Sequence, residues 1–235
     1  MKQHEAVIQT LERLGGIATL GQLYKEVPVS LWATKTPFAT IRRIVQSRKE
    51  IYKIKPGLYG LVSMKAANDA QGAVVETSKN RGSQEVGQFN HTYYQGLLLQ
   101  VGKLRSHASW CPNQDKNRLF LGQPLGALRT LQELPPFSYP RFVQRSATVD
   151  VIWFNEREMP HTFFEVEHST DIQNSLLKFS DLQDFAARML IVSYASRQKE
   201  YAQKIKYSSF RDIAGRVQFL DYDSLAKQYE HAVEC

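Results

Sequence analysis

Three carboxylate residues near the middle of the chain have the spacing of a divalent-metal site. Glu165 and Glu167 are two residues apart in the segment HTFFEVEHS, and Asp150 lies in the preceding segment ATVDVIWF. Side chains two residues apart on a β-strand point to the same side of a sheet. With Asp150 on a neighbouring strand, the three carboxylates repel one another unless a cation neutralises them. We expect Mg²⁺, with Mn²⁺ as an alternative, because Mg²⁺ is satisfied by carboxylates, water and phosphate oxygens.

The elements that must position these residues are two strands followed by alternating helices and strands. ATVDVIWF and HTFFEVEHS have the β-branched and aromatic composition of paired strands, and NEREMP supplies turn residues between them. A helix then begins after the capping residues Ser169, Thr170 and Asp171, with Gln173 at capping-box spacing from Thr170. MLIVSY and RVQFLDY are further strand segments, separated by the basic helix SRQKEYAQKIKY. This order predicts an α/β domain with a mixed sheet.

Composition changes once along the chain, at residues 64–88, which are rich in small and polar side chains. We therefore predict a linker there, between a first domain at 1–63 and a second at 89–235. The second domain begins with a helix at 92–104 and a loop-rich surface insertion with short strands at 110–140, and it continues into the strands described above.

The first domain has three amphipathic helices followed by a hairpin. Apolar residues recur at helical spacing up to Gly15, Thr19 caps a second helix, and Pro37 begins a third. IYKIKPGLYGLV supplies two short strands around a Pro56-Gly57 turn. Three helices and a hairpin form the winged helix-turn-helix pattern. This pattern predicts DNA binding with the third helix in the major groove and the hairpin at the phosphates.

Basic and amide side chains cluster on the two elements that would meet DNA. We predict DNA contacts from six residues: Arg42, Arg43, Gln46, Arg48, Lys53 and Lys55. The chain has 30 Lys and Arg against 23 Asp and Glu, a net charge of +7 that favours a polyanionic partner. The alternative is a winged helix that binds only proteins and has a solvated basic face.

The succession of Asp150, Glu165-x-Glu167 on the next strand and a following helix resembles the PD-(D/E)XK superfamily of restriction endonucleases and DNA repair nucleases. The resemblance covers residues 89–222, and FFEVEHSTDIQNSLLKF is similar to restriction-endonuclease-like domains of bacterial DNA processing and defence. It implies that Asp150, Glu165 and the backbone carbonyl of Val166 bind the metal. It also implies hydrolysis of a phosphodiester by a metal-activated water.

The sequence departs from the superfamily pattern at Glu167, where lysine is usual. Some restriction enzymes of the superfamily also have glutamate there, so Glu167 is a candidate general base or ligand of a second metal. Lys178 on the following helix is a candidate catalytic replacement for that lysine. The alternative is that Lys178 is a solvated surface residue.

Other polar residues near the motif are assigned as follows. Gln183 resembles a glutamine that the recombination-nuclease branch carries on the helix after the motif. Gln95 lies in the 92–104 helix, where some members have a further acidic ligand, and its amide favours a single metal. His168 alternates to the opposite side of the sheet from Glu167, which favours a structural role. Residues 113–116 suit either DNA contacts or a turn.

Together these features predict a divalent-metal-dependent DNA endonuclease of restriction or phage-defence type. The alternatives are a DNA-binding regulator or assembly subunit whose nuclease fold is inactive, and a pure protein-interaction module. A homodimer is a candidate assembly because a single-site enzyme that cuts both strands usually acts as a dimer.

The sequence also bears on location. The N-terminal segment is charged and no run approaches about 18 apolar residues, so neither a signal peptide nor membrane association is expected. Cys111 and Cys235 have no zinc-ligand spacing and suit a reducing compartment. We therefore expect a cytoplasmic protein.

Overall fold

The computed structural model describes residues 2–234, so Cys235 lies outside the described part of the chain. Its contacts divide the chain into two compact units. The first unit comprises the residues up to Phe89 together with those from Ala226 onward, and the second unit comprises Asn90–Leu225. The predicted second domain runs to residue 235, whereas the contacts assign its last residues to the first unit.

The first unit combines helices with a three-stranded antiparallel sheet. Its elements up to residue 70 are α1 (Gln3–Arg13), β1 (Ile17–Thr19), α2 (Leu20–Glu26), α3 (Pro37–Ser47), β2 (Ile51–Lys55), β3 (Leu58–Leu61) and α4 (Lys65–Ala70). The strand order is β1-β3-β2. Leu11, Leu23 and Ile41 come from three different helices and share one apolar core.

Local sequence signals determine where these helices begin and end. The Thr19 hydroxyl accepts the Gln22 N–H at 3.0 Å, and the Gln22 side chain accepts the Thr19 N–H at 2.8 Å, which caps α2. Gly15 and Gly16, which follow α1, both have a φ of 85°, a conformation that glycine adopts without strain. The three predicted helices and the hairpin are present. The sequence does not predict β1, because three residues are too few to show a strand pattern.

An irregularity in β2 changes the direction of Lys55. Lys53 pairs with Tyr59 and Lys55 pairs with Leu58, so β2 has one extra residue between the two lysines. Regular alternation would leave both lysines on one side, but this bulge turns Lys55 inward. Lys55 is 7% exposed, and its Nζ lies 4.4 Å from the centre of the Phe89 ring. The ammonium group is therefore not available to a DNA phosphate, which corrects the prediction for Lys55.

The second unit is built around a five-stranded mixed sheet. The elements that lie wholly or partly in it are α5 (Gln84–Leu104), β4 (Ala108–Trp110), β5 (Leu119–Phe120), β6 (Gln123–Pro124), α6 (Leu125–Leu128), α7 (Pro140–Ser146), β7 (Val151–Phe154), β8 (Pro160–Glu167), α8 (Ile172–Asp181), β9 (Arg188–Ser193), α9 (Gln198–Lys204), β10 (Val217–Asp221) and α10 (Tyr222–Glu234). The order in the large sheet is β10-β9-β8-β7-β4. Strands β8, β9 and β10 are parallel, whereas β7 is antiparallel to both β8 and β4. The predicted α/β fold with a mixed sheet is confirmed.

Three helices differ from the predictions. Helix α5 begins at Gln84 instead of residue 92, and α4 also lies within the 64–88 segment, so that segment contains regular structure. Small and polar residues such as Gln84 and Glu85 are compatible with a helix even without an apolar stripe. Helix α8 ends at Asp181, so Gln183 lies beyond it.

The 110–140 stretch contains the predicted short strands, β5 and β6, but it lies only partly at the surface. Strand β4 pairs with β7 at the edge of the large sheet, and Cys111, Asp115 and Phe120 are buried. Its apolar residues occur in short runs among turn residues, so no periodic pattern marks them as interior.

One apolar core of the second unit lies between the large sheet and α8. It includes Ile152, Phe163 and Ile191 from the sheet and Leu176 and Phe179 from α8. Within residues 2–234, no helix combines the length and the apolar character needed to cross a membrane.

Candidate functional site

The pairing of β7 with β8 brings Asp150 close to Glu165. Val151 pairs with Phe164 in the antiparallel register, and one further step brings Asp150 opposite Glu165. Residues directly opposite each other in an antiparallel pair project to the same face of the sheet. The Val166 N–H donates to Asp150 Oδ2 at 2.7 Å. This hydrogen bond fixes the Asp150 carboxylate beside β8.

Glu165 and Glu167 project to one face of β8, toward α8. The Ser175 hydroxyl on α8 lies 3.1 Å from Glu165 Oε2 and also contacts Glu167 Oε1. The Thr170 hydroxyl donates to the other oxygen of Glu167. Both carboxyl groups are buried. The same-side arrangement of the two glutamates agrees with the prediction.

Lys178 reaches Glu165 from α8. Its Nζ donates to Glu165 Oε1 at 3.0 Å and to Oε2 at 2.8 Å, and it also donates to the Thr148 carbonyl at 2.9 Å. The side chain is 24% exposed, so Lys178 is not a freely solvated residue. Burial opposes its charge, but the charges of Glu165 and Asp150 outweigh burial and raise the pKa of Lys178. Lys178 and Glu165 thus form a largely buried ion pair.

The electrostatics of this site couple its carboxyl groups. Burial and then the negative charge of Asp150 raise the pKa of Glu165 well above its usual value, against the opposing effect of Lys178. Burial also raises the pKa of Glu167, although the hydroxyls of Ser175 and Thr170 act to lower it. Because Asp150 contributes to both shifts, the three carboxyl groups form one cluster.

His91, which is not among the predicted site residues, and Asp115, whose segment suits DNA contacts or a turn, lie beside Asp150. The ligand atoms of these three residues are all within 4.8 Å of one another. His91 Nε2 is 3.6 Å from Asp150 Oδ1, and His91 Nδ1 is 3.1 Å from the Val166 carbonyl. Gln95 joins the group, because its Nε2 donates to Asp115 Oδ2 at 3.0 Å and to the Asp150 carbonyl at 3.2 Å.

One signal in the sequence points to part of this group. His91 and Gln95 are four residues apart on α5, so they lie on the same face of the helix. A helix that starts at residue 92 leaves His91 outside it. Asp115 has no comparable signal, because it lies in a loop and reaches Asp150 only through the tertiary fold.

The residue types of this site are those that bind divalent cations, and the ligand atoms of His91, Asp115 and Asp150 are close enough to share one ion. Carboxylate oxygens of Asp150, Glu165 and Asp115, the Val166 carbonyl and the imidazole of His91 are all common metal ligands. His91 already contacts the Val166 carbonyl, and Lys178 contacts both Glu165 oxygens. Each of these oxygens has a second lone pair for a cation.

His168 lies in a separate polar network. Its Nδ1 is 2.9 Å from the Tyr194 hydroxyl and 3.2 Å from Asn90 Nδ2, and its side chain is buried. These contacts agree with a structural role.

Of the six residues predicted to contact DNA, Lys55 is buried and the other five have accessible side chains. Arg43, Gln46, Arg48 and Lys53 are exposed. The Arg42 guanidinium is 3.4 Å from Glu230 and 3.3 Å from Glu234, both on α10.

Residues 73–234 match the family model of the type II restriction enzyme NmeDI C-terminal domain. The match includes the carboxylates and the lysine described above as well as His91, whereas α1 to α4 lie outside it. No curated protein and no solved structure shows a significant match to the chain.

Proposed function

Because the chain belongs to the family of the type II restriction enzyme NmeDI C-terminal domain, we propose that it is a divalent-metal-dependent DNA endonuclease of restriction or phage-defence type. The observation that carries this proposal is the convergence of Asp150, Glu165, Glu167 and Lys178 in one cluster. Acidic ligands with an adjacent ammonium group suit metal-assisted hydrolysis of a phosphodiester. The same arrangement supports assigning residues 89–222 to the PD-(D/E)XK superfamily.

In this proposal Asp150, Glu165 and the Val166 carbonyl hold Mg²⁺ or Mn²⁺. A bound ion of this kind polarises the scissile phosphate and lowers the pKa of a coordinated water. The chain orients its own ligands, because the Val166 N–H holds Asp150 Oδ2 and Lys178 holds Glu165.

Glu167 is the proposed general base. Burial raises its pKa, which suits a carboxylate that accepts a proton near neutral pH. Ser175 and Thr170 contact its two oxygens and fix its direction. The superfamily pattern has a lysine at the position of Glu167. Lys178 supplies that positive charge from α8, and its charge stabilises the phosphate.

The DNA partner is bound by the first unit acting as a winged helix. Three helices, a hairpin and the β1-β3-β2 order support this assignment. Contacts come from the exposed Arg43, Gln46, Arg48 and Lys53, and from Arg42 when it leaves Glu230 and Glu234. The proposed functional domains are 1–63 and 89–235. The proposed assembly that cuts both strands is a homodimer.

One observation favours a second candidate function, a DNA-binding subunit whose nuclease fold is inactive. Lys178 engages both oxygens of Glu165, as it would in a purely structural ion pair. Calorimetry separates the two candidates: an inactive subunit would show no Mg²⁺ or Mn²⁺ uptake that depends on Asp150.

A cleavage screen tests the proposal. Plasmid DNA and modified phage DNA are incubated with the intact protein and Mg²⁺ or Mn²⁺, with D150A and E165A as comparisons. We expect cleavage by the wild type alone, while both variants still bind DNA. A wild type that cuts no DNA with either ion refutes the proposal.

A further inference from the structure

We infer that His91, Asp115 and Asp150 form a metal position that prefers a first-row transition ion to Mg²⁺; this inference rests on the proposed metal-dependent function. The position lies at Asp150 Oδ1, whereas the Val166 N–H holds Oδ2. The ligand atoms of the three residues are within 4.8 Å of one another. Neither His91 nor Asp115 belongs to the ligand set that the superfamily resemblance implies.

The hydrogen bond at His91 Nδ1 leaves Nε2 as the ligand atom. The Val166 carbonyl can only accept, so at 3.1 Å the Nδ1 atom must carry the hydrogen. In the neutral imidazole Nε2 then has the lone pair, and it faces Asp150 Oδ1. Metal-binding histidines commonly donate their other ring nitrogen to a carbonyl or a carboxylate. The Val166 carbonyl therefore orients the His91 ring as such a partner would.

The distance between the two facing atoms suits ligands of one ion. At 3.6 Å, His91 Nε2 and Asp150 Oδ1 are too far apart for a good hydrogen bond. Two atoms bonded to one ion at about 2.0–2.2 Å lie about 3–4 Å apart at the usual bond angles. The competing arrangement is an imidazolium paired with Asp150, and it predicts no metal uptake that depends on His91.

Gln95 provides an independent observation at the same cluster. Its side chain is fully buried, and its Nε2 contacts both Asp115 and the Asp150 carbonyl. Its Oε1 has no hydrogen-bond partner within residues 2–234. A buried amide oxygen without a donor is unfavourable. A water molecule carried by an ion at this cluster would supply that donor.

The imidazole nitrogen of His91 determines the preference for a transition ion over Mg²⁺. Mg²⁺ takes oxygen ligands and retains several waters, whereas imidazole suits transition ions, with affinity rising from Mn²⁺ to Co²⁺. Arg118 Nε lies 3.0 Å from Asp115 Oδ1, and that oxygen has a second lone pair for the ion. The set of one nitrogen and two carboxylate ligands leaves other positions for water.

Co²⁺ titration of the intact, untagged protein without DNA tests this inference. Calorimetry gives the affinity, and a difference in the visible absorption of Co²⁺ between wild type and H91Q reports the loss of the imidazole ligand. We expect at least about tenfold weaker binding in H91Q and D115N, and wild-type binding in the matched control H161Q. D115N alters a buried residue and can fail to fold. His91 is partly exposed, so H91Q tests the inference even in that case. Circular dichroism checks the folding of each variant.

Two outcomes overturn the inference: equal Co²⁺ affinity of H91Q and wild type, or tighter wild-type binding of Mg²⁺ than of Co²⁺. The E165Q variant separates this inference from the proposed function. E165Q should lose DNA cleavage and keep Co²⁺ binding that depends on His91. A wild type that binds Co²⁺ through His91 and cuts no DNA would refute the nuclease proposal and leave the metal position in place.

Discussion

Lys178 donates hydrogen bonds to both carboxylate oxygens of Glu165, at 3.0 and 2.8 Å. The same ammonium group also binds the Thr148 carbonyl, so one side chain of α8 is tied to β8 and to the chain just before β7. This contact balances the charge of a buried glutamate that lies beside two other carboxylates. It therefore serves both the stability of the second unit and the proposed chemistry.

Replacing Lys178 by methionine should destabilise the second unit by about 3–5 kcal/mol, because Glu165 is then buried without its cation. Urea denaturation measures the free energy of unfolding. The control K199M removes an exposed lysine of α9 and should change stability by less than about 0.5 kcal/mol. E165Q/K178M should recover much of the loss. Equal stability of K178M and K199M would show that the ion pair does not stabilise the fold.

The burial of Lys55 should make the first unit more stable at alkaline pH. Burial lowers the pKa of Lys55 from 10.5 to about 7, against the opposing effect of Glu76. Between these two values the unfolded chain binds more protons than the folded one. The free energy of unfolding therefore rises as pH increases from about 7 toward 10.5, and this contribution is flat below pH 7.

Hydrogen exchange of the β2 and β3 amides at several pH values measures this dependence. K55M should remove the rise, whereas K53M, which changes an exposed lysine of the same strand, should retain it. The same pH slope in K55M and wild type would contradict the assignment.

The exposed face of α3 should bind DNA through phosphates and bases. R43A and R48A should each weaken binding and reduce the slope of log affinity against log salt by about 0.9 for each phosphate that the variant no longer neutralises. K25A removes an exposed lysine of α2 and serves as the control. Fluorescence anisotropy over a series of salt concentrations gives the slopes. Unchanged slopes in both arginine variants would remove α3 from the DNA interface.

The pairing of Arg42 with α10 should restrain DNA binding. E230Q/E234Q releases the guanidinium and should tighten binding and steepen the salt dependence. The same double substitution in an R42A background corrects for the loss of two negative charges. If E230Q/E234Q raises the affinity equally in the wild type and in R42A, the release of Arg42 is not the cause of the gain.

Sequence patterns predict the strands and the two glutamates well, because both depend on local periodicity. The β-branched and aromatic segments correspond to β7 and β8, and the alternation of residues places Glu165 and Glu167 together. Capping chemistry is less specific. The structure caps α8 with Asp171 rather than Thr170, whose hydroxyl instead contacts Glu167.

The remaining features depend on contacts that no local pattern records. One extra residue in β2 reverses the side of Lys55, and alternation alone cannot show it. His91 and Asp115 meet Asp150 only when α5, the 110–140 stretch and β7 pack together. Their types are ordinary for a helix and a turn, so the sequence gives no reason to join them.

The rate of DNA cleavage by D150N and E165Q, relative to H161Q, tests the central claim most directly. All three proteins are compared with Mg²⁺ and with Mn²⁺ at DNA concentrations that saturate binding, so differences in affinity do not enter. Loss of a metal ligand should lower the rate by at least about 100-fold in D150N and E165Q, and H161Q should cut as the wild type does. Cleavage by D150N and E165Q at the rate of H161Q would contradict the assignment of this cluster as the nuclease site.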